Sequence, residues 1–121
     1  MAKIFLDTNY FIDIIGRNPR EEVIKSLLNH SLFISPLSFH IYCYIFKIKI
    51  PNESTLEQKD EFQVVEFSED ILNRSLQGPT TDFEDNVQLH SAADADCDVF
   101  LTEDKKLMGM KYFGKVKINS N

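Results

Sequence analysis

The chain has 121 residues, 43% of them hydrophobic, with four glycines and four prolines, which fits one domain around a single core and leaves too little for two. Its formal charge of -6 argues against a general nucleic-acid coat, which needs an excess of Lys and Arg to neutralise phosphates. Cys43 and Cys97 show neither metal-ligand spacing nor a redox motif, and the opening residues lack a basic leader and apolar block, so a reducing, cytoplasmic setting is expected.

Ile4-Phe5-Leu6 is a short continuous apolar run, as in a strand buried on both faces, and Asp7-Thr8-Asn9 ends it with residue types that also cap helices. A short helix over Tyr10 to Ile15 follows, broken by Gly16-Arg17-Asn18-Pro19, and Pro19 then opens a second helix to about Asn29. Leu32-Phe33-Ile34 reads as a second strand. Pro36 starts a third helix running to about Lys47, apolar nearly all round, so it is either wholly buried or turned half towards a partner protein. Residues 32–50 are the one stretch to weigh as a membrane span. Pro36, Ser35, Ser38, His40 and two late lysines interrupt it, and no span is expected.

Phe62 to Phe67 alternates as a third strand does, Ser68 caps the next helix, and Gly78 stops it in a C-cap position. Asp82-Phe83-Glu84-Asp85 opens a helix to about Asp94. Val99-Phe100-Leu101 is another buried strand, ended by Thr102-Glu103-Asp104, and Val116-Lys117-Ile118 makes a last edge strand. Strands alternating with helices predict an α/β domain over residues 1–121, with a central parallel sheet of four to five strands and helices on both faces.

In such sheets ligands collect outside the carboxyl ends of the strands, and Asp7 and Asp104 follow the first and fourth strands. If those strands are parallel neighbours, Asp7, Asp104 and the acids opening the preceding helix meet at one edge. Clustered carboxylates repel and raise one another's pKa values unless a cation sits among them, and Mg2+ or Mn2+ is the natural occupant of an all-oxygen site. Each acid also has a local alternative. Asp7 either binds the ion or caps the first helix; Asp104 either binds it or caps Lys105 to Met108. Asp82 is the expected N-cap, which leaves Asp85 as ligand, with Glu84 facing solvent and Asp94, Asp96 and Asp98 as solvated loop acids. Residues 50–104 carry fifteen acids against Lys59 and Arg74, whereas the bases after Asp104 are five lysines with no acid among them. That division suits an acidic metal site with a basic rim for phosphate, formed first by Lys105 and Lys106. It suits equally a solvated acidic surface beside a lysine-bearing edge strand.

Four segments in this order resemble the PIN-domain ribonucleases, most closely the VapC-like toxins of type II toxin-antitoxin systems. They are Ile4-Phe5-Leu6-Asp7-Thr8-Asn9, Ile34-Ser35-Pro36-Leu37-Ser38, Asp82-Phe83-Glu84-Asp85 and Val99-Phe100-Leu101-Thr102-Glu103-Asp104-Lys105-Lys106. The resemblance implies a PIN-like three-layer sandwich and a Mg2+- or Mn2+-dependent endoribonuclease that cuts RNA, forms homodimers and is inhibited by a cognate antitoxin. It implies metal binding by Asp7, Asp85 and Asp104, with Thr8 and Asn9 positioning the first loop and Thr102 supporting the last acid. The chain departs from the pattern where the family places a glutamate: that position falls at Ile41, beside His40. His40 and Glu103 are the candidates to compensate, with Asp82 in support. The departure also motivates the alternative of a degenerate PIN domain that binds RNA or an antitoxin without cutting. A receiver-like phosphoacceptor domain would need an Asp after the 62–67 strand, where Ser68 stands.

Overall fold

Two apolar strands set the frame. In the computed structural model, which describes residues 1–17, 25–27 and 29–120, β1 (Lys3–Leu6) lies parallel between β2 (Ser31–Ile34) and β4 (Val99–Leu101). Side chains alternate across a strand. Ile4 and Leu6 therefore enter one buried cluster with Ile34 and Leu101, while Phe5 enters the other and stacks on Phe100 with ring centroids 5.6 Å apart.

Helices cover both faces, each starting on a residue that can cap it. Asp7 caps α1 (Thr8–Ile12), and Ser35 caps α2 (Pro36–Ile45), with Pro36 in its first turn. These two helices supply Phe11, Ile12 and Tyr42 to the Ile4/Leu6 cluster. Asn52 caps α3 (Glu53–Asp60), which buries no residue. Ser68 caps α4 (Glu69–Ser75) and Asp82 caps α5 (Phe83–Asp94); these bring Ile71, Val87, Leu89 and Ala92 against the Phe5 face. Asp104 caps α6 (Lys105–Met108). The result is the expected three-layer α/β sandwich.

Among the described residues the sheet has six strands, more than the four to five expected, in the order β3-β2-β1-β4-β6-β5, where β3 is Gln63–Val64, β5 Tyr112–Phe113 and β6 Val116–Asn119. Five are parallel, and β5 pairs antiparallel with β6. This corrects the expected edge: the Val116 strand is flanked on both sides because Gly114, at φ +60°, allows the chain to double back after Phe113. The third strand is shorter than the alternation over 62–67 implies, since it pairs along one side only and both of its residues are exposed.

Local endings also differ from expectation. The first helix passes after Ile12 into a π-helical turn, Asp13–Arg17, where Gly16 sits against Phe46; a Cβ there would meet that ring at 2.9 Å. Leu76, rather than Gly78, is the C-cap of α4, and Gly78 lies two residues beyond at φ +145°. The helix expected from Pro19 to about Asn29 falls largely on residues 19–24 and 28, outside the described residues, although 25–27 are helical. The aromatic α2 faces two ways: Phe39 and Tyr42 pack edge-on against Phe11, whereas Tyr44 is 79% exposed. Among the described residues no helix is long and apolar enough to cross a membrane.

Candidate functional site

The parallel ladder delivers two chain ends side by side. Leu6 pairs with Leu101, and the Asp7 N–H extends the ladder by donating to the Leu101 carbonyl at 2.9 Å. Asp7 and Thr102 then meet: the Thr102 hydroxyl donates to Asp7 Oδ2 at 2.8 Å, while the Thr8 N–H donates to Oδ1 at 2.9 Å. The same hydroxyl accepts from the Asp104 N–H at 3.0 Å. Thr102 thus ties the Asp7 carboxylate and the backbone of Asp104 together.

Asp7 is only 5% exposed. Burial pushes its pKa up to about 6, against the hydrogen bonds from Thr102 and Thr8 and with added repulsion from Glu84 and Asp104. Asp85, half-buried in the first turn of α5, is pushed to about 7 by burial first and then by Asp7, Asp82, Asp104 and Glu84. The charges of Asp7 and Asp104 thus act on Asp85, and that of Asp104 on Asp7.

Two of the local alternatives hold at the same time as this convergence. Asp7 caps α1 and still belongs to the cluster; Asp104 Oδ1 accepts from the N–H groups of Lys106 and Leu107, at 2.8 and 3.3 Å, while its charge acts on Asp7 and Asp85. Asp82 is the N-cap of α5, its Oδ1 accepting from the Asp85 N–H at 3.0 Å. Glu84 corrects the expectation of a solvent-facing acid. It is half-buried and hydrogen-bonded by the Thr8 side chain, with its carboxyl pushed upward by burial and by Asp82. His40 and Asn9 are exposed, and so is Glu103; the charges that raise Asp7 come from Glu84 and Asp104.

Three polar residues not singled out from the sequence complete the surroundings. Ser38 and Gln88 are fully buried. Ser38 Oγ lies 3.1 Å from Thr8 Oγ1 and donates to Gln88 Oε1 at 3.3 Å, joining α2 and α5 to the first loop. Asn86 donates to the carbonyls of Ser75 and Thr80 and accepts from the Thr80 N–H, pinning the loop after α4 to the start of α5. A signal existed for Ser38, a small polar residue inside a nearly continuous apolar helix. Ile41 packs against the apolar Ile4/Leu6 cluster, so α2 presents a hydroxyl to the site and no carboxylate.

Beside these acids runs an open groove of about 590 Å³. Thr80 to Asp82, Asp85 and Asp104 line one part of it, and exposed Lys105 and Lys106 form its basic rim. The acidic donors are all oxygen and repel one another, as suits a hard cation. As placed, no three His, Cys, Asp or Glu side chains among the described residues are gathered into a ready cage. That arrangement fits Mg2+ or Mn2+ held through one or two carboxylates with retained waters, rather than a closed all-protein site.

A PIN domain family model matches residues 4–111. No curated protein matches the sequence. Among solved structures, a chain of VapBC2 from Rickettsia felis, bound to a DNA fragment from the promoter, superposes with a TM-score of 0.68 at 14% identity, covering 98% of each chain. A chain of DNA-bound VapBC from Salmonella typhimurium gives 0.67 at 18% identity, covering 99% of this chain and 98% of that one. A chain of FitAB bound to the IR36 DNA fragment gives 0.66 at 15% identity, covering 97% and 94%. At these identities the likeness concerns the fold.

Proposed function

The chain belongs to the PIN domain family, and from that membership we propose that it is a Mg2+- or Mn2+-dependent endoribonuclease, the toxin of a type II toxin-antitoxin pair, acting in the cytoplasm as one domain. The observation that carries this reading is Asp7: a carboxylate buried at the carboxyl edge of the sheet, hydrogen-bonded on both oxygens, with its pKa raised by burial first and then by the charges of Glu84 and Asp104. A protein retains such repulsion where a cation relieves it.

Asp7, Asp85 and Asp104 would hold the metal, one or two of them directly and the rest through its retained waters. Bound there, such an ion would provide a nucleophilic water and charge neutralisation at the phosphodiester. The chain's own groups do the rest. Thr102 and Thr8 hold the two oxygens of Asp7 in fixed directions, and Asn86 keeps the Pro79–Asp82 side of the groove in place. Lys105 and Lys106 draw the RNA backbone onto the rim through phosphate contacts, while single-stranded RNA is the form whose unstacked bases an open groove can receive.

An antitoxin partner is supported by the VapBC and FitAB complexes that share the fold, and a homodimer by the family resemblance. The second reading, a PIN domain that binds RNA or antitoxin without cutting, is favoured by the apolar residue at position 41.

Cleavage of a labelled single-stranded RNA separates the two. Fragments should form with Mn2+, disappear with EDTA, and fall by about 100-fold for Asp85→Asn, a loss of about 3 kcal/mol in transition-state stabilisation. Undiminished RNA binding with no fragments at any Mn2+ concentration would establish the non-cutting domain instead.

A further inference from the structure

We infer that Gln88 is a positioning residue: a buried side chain that ties α5, the helix carrying Asp85, to the loop carrying Asp7, by way of Ser38 on α2 and Thr8. The inference rests on the metal-nuclease reading and says what holds two parts of that site in one geometry.

Asp7 follows β1, whereas Asp85 lies in the first turn of α5. The two oxygens of Asp7 accept from the Thr8 N–H and the Thr102 hydroxyl, and neither donor belongs to α5. A path of buried side chains makes the connection. Gln88 lies three residues after Asp85, its neighbour one turn further along the helix surface. Gln88 Oε1 accepts from Ser38 Oγ at 3.3 Å, Ser38 Oγ stands 3.1 Å from Thr8 Oγ1, and the Thr8 N–H reaches Asp7 Oδ1 at 2.9 Å. None of Thr8, Ser38 and Gln88 is more than 1% exposed. Hydrogen bonds shielded from water in this way are electrostatically stronger than surface ones and rigidify the groups they join. Thr8 also meets Glu84 of α5, but on the half-buried side, where water competes.

Packing gives no account of a glutamine at this place. Val87, Leu89 and Ala92 of the same helix are all buried in the apolar cluster around Phe5. An apolar side chain of the same length would fill the volume of Gln88 without bringing polar atoms into the interior. Gln88 instead carries a buried amide whose Nε2 has no hydrogen-bond partner, which lowers the stability of the fold. What the residue supplies in return is the acceptor that orients Ser38, and through Ser38 the threonine beside Asp7. A group that costs stability while fixing geometry belongs to the site rather than to the core. The consequence for chemistry is large, since a displacement of about 1 Å within a reacting constellation can cost about 100-fold in rate.

Amide hydrogen exchange of the full chain in EDTA, read by NMR, tests the tie without relying on cleavage, using Gln88→Met, Ser38→Ala and the double variant. The Thr8 N–H should exchange about 10-fold faster in each single variant, and no faster in the double, because both changes break one path. The Thr102 N–H, which donates to the Asn119 carbonyl at 3.0 Å, should exchange as in wild type. The melting temperature of Gln88→Met should equal or exceed that of wild type. With Mn2+ and labelled single-stranded RNA, kcat for Gln88→Met should fall about 10-fold at unchanged KM. Unaltered Thr8 exchange in both single variants would overturn the inference and leave the nuclease reading to the cleavage result. A lowered melting temperature with faster exchange at Thr8 and Thr102 alike would also overturn it, by making Gln88 an ordinary core residue. Exchange that responds as expected in a chain that cuts no RNA would overturn the nuclease reading, and with it the site that Gln88 serves.

Discussion

Asp7→Asn should raise the melting temperature of the metal-free protein at pH 7.5 by about 3–8 °C while abolishing metal-dependent RNA cleavage. The carboxyl's pKa moves from 3.8 to about 6 on folding, chiefly through burial. At about 1.4 kcal/mol for each pKa unit, the ionised form opposes folding by about 3 kcal/mol at neutral pH. Asparagine removes the charge and keeps the shape. Its single carbonyl can accept from only one of the two donors, the Thr8 N–H or the Thr102 hydroxyl, which gives back about 1 kcal/mol. The remaining gain of about 1–2 kcal/mol sets the expected shift for a domain of this length. Thermal melts read by circular dichroism check the first half, and RNA fragment yield with Mn2+ checks the second. A variant that melts lower than wild type would mean that the Asp7 charge is compensated within the protein.

The second large effect is a reversal of pH dependence by metal. Asp7 near 6 and Asp85 near 7 both lie above the ordinary 3.8, so between about pH 4 and 7 the folded chain binds more protons at these groups than the unfolded one. Their contribution is therefore fully present below about pH 4 and is lost as pH rises through 6 to 7, with Asp7 alone accounting for about 3 kcal/mol. Mn2+ acts in the opposite direction. It needs the deprotonated carboxylates and displaces their protons, so its binding strengthens over the same interval. Melts at pH 5.0 and 7.5, each with Mn2+ and with EDTA, should show little metal effect at the lower pH. At the higher, stabilisation should reach about 2.7 kcal/mol with Mn2+ at 100 times its dissociation constant. A metal-induced shift that is larger at pH 5.0 would refute the assignment of these two acids.

The central strands were plain in the sequence because burial on both faces leaves a strand little choice but apolar residues, as Ile4-Phe5-Leu6 and Val99-Phe100-Leu101 show. Helix starts were plain for a similar reason: Ser68 and Asp82 satisfy free N–H groups by local chemistry that needs no tertiary context. The sheet's margins were less legible. Gln63–Val64 and Tyr112–Phe113 pair on one side only, so neither hydrophobic run nor alternation fixes their extent.

At the site, the nearness of the chain ends carrying Asp7 and Asp104 followed from the pairing of β1 and β4, whereas the half-buried place of Glu84 did not. Adjacent residues on a helix point about 100° apart. Spacing alone cannot decide whether the residue before Asp85 turns to solvent or to the Thr8 loop; that depends on how α5 is rotated against the sheet. The choice between cap and ligand at Asp7 and Asp104 was unresolvable from sequence for another reason. One oxygen of each carboxylate caps a helix, and what else the group meets depends on tertiary neighbours that the local sequence does not carry.

The most direct test is diffraction from crystals of the wild-type chain soaked in Mn2+ at pH 7.5 and recorded at the manganese absorption edge. An anomalous peak should stand at the carboxyl edge of β1 and β4, bonded to Asp7 and to at least one of Asp85 and Asp104. A saturating soak that leaves this edge without a peak, or places the ion away from Asp7, would contradict the metal-dependent nuclease site.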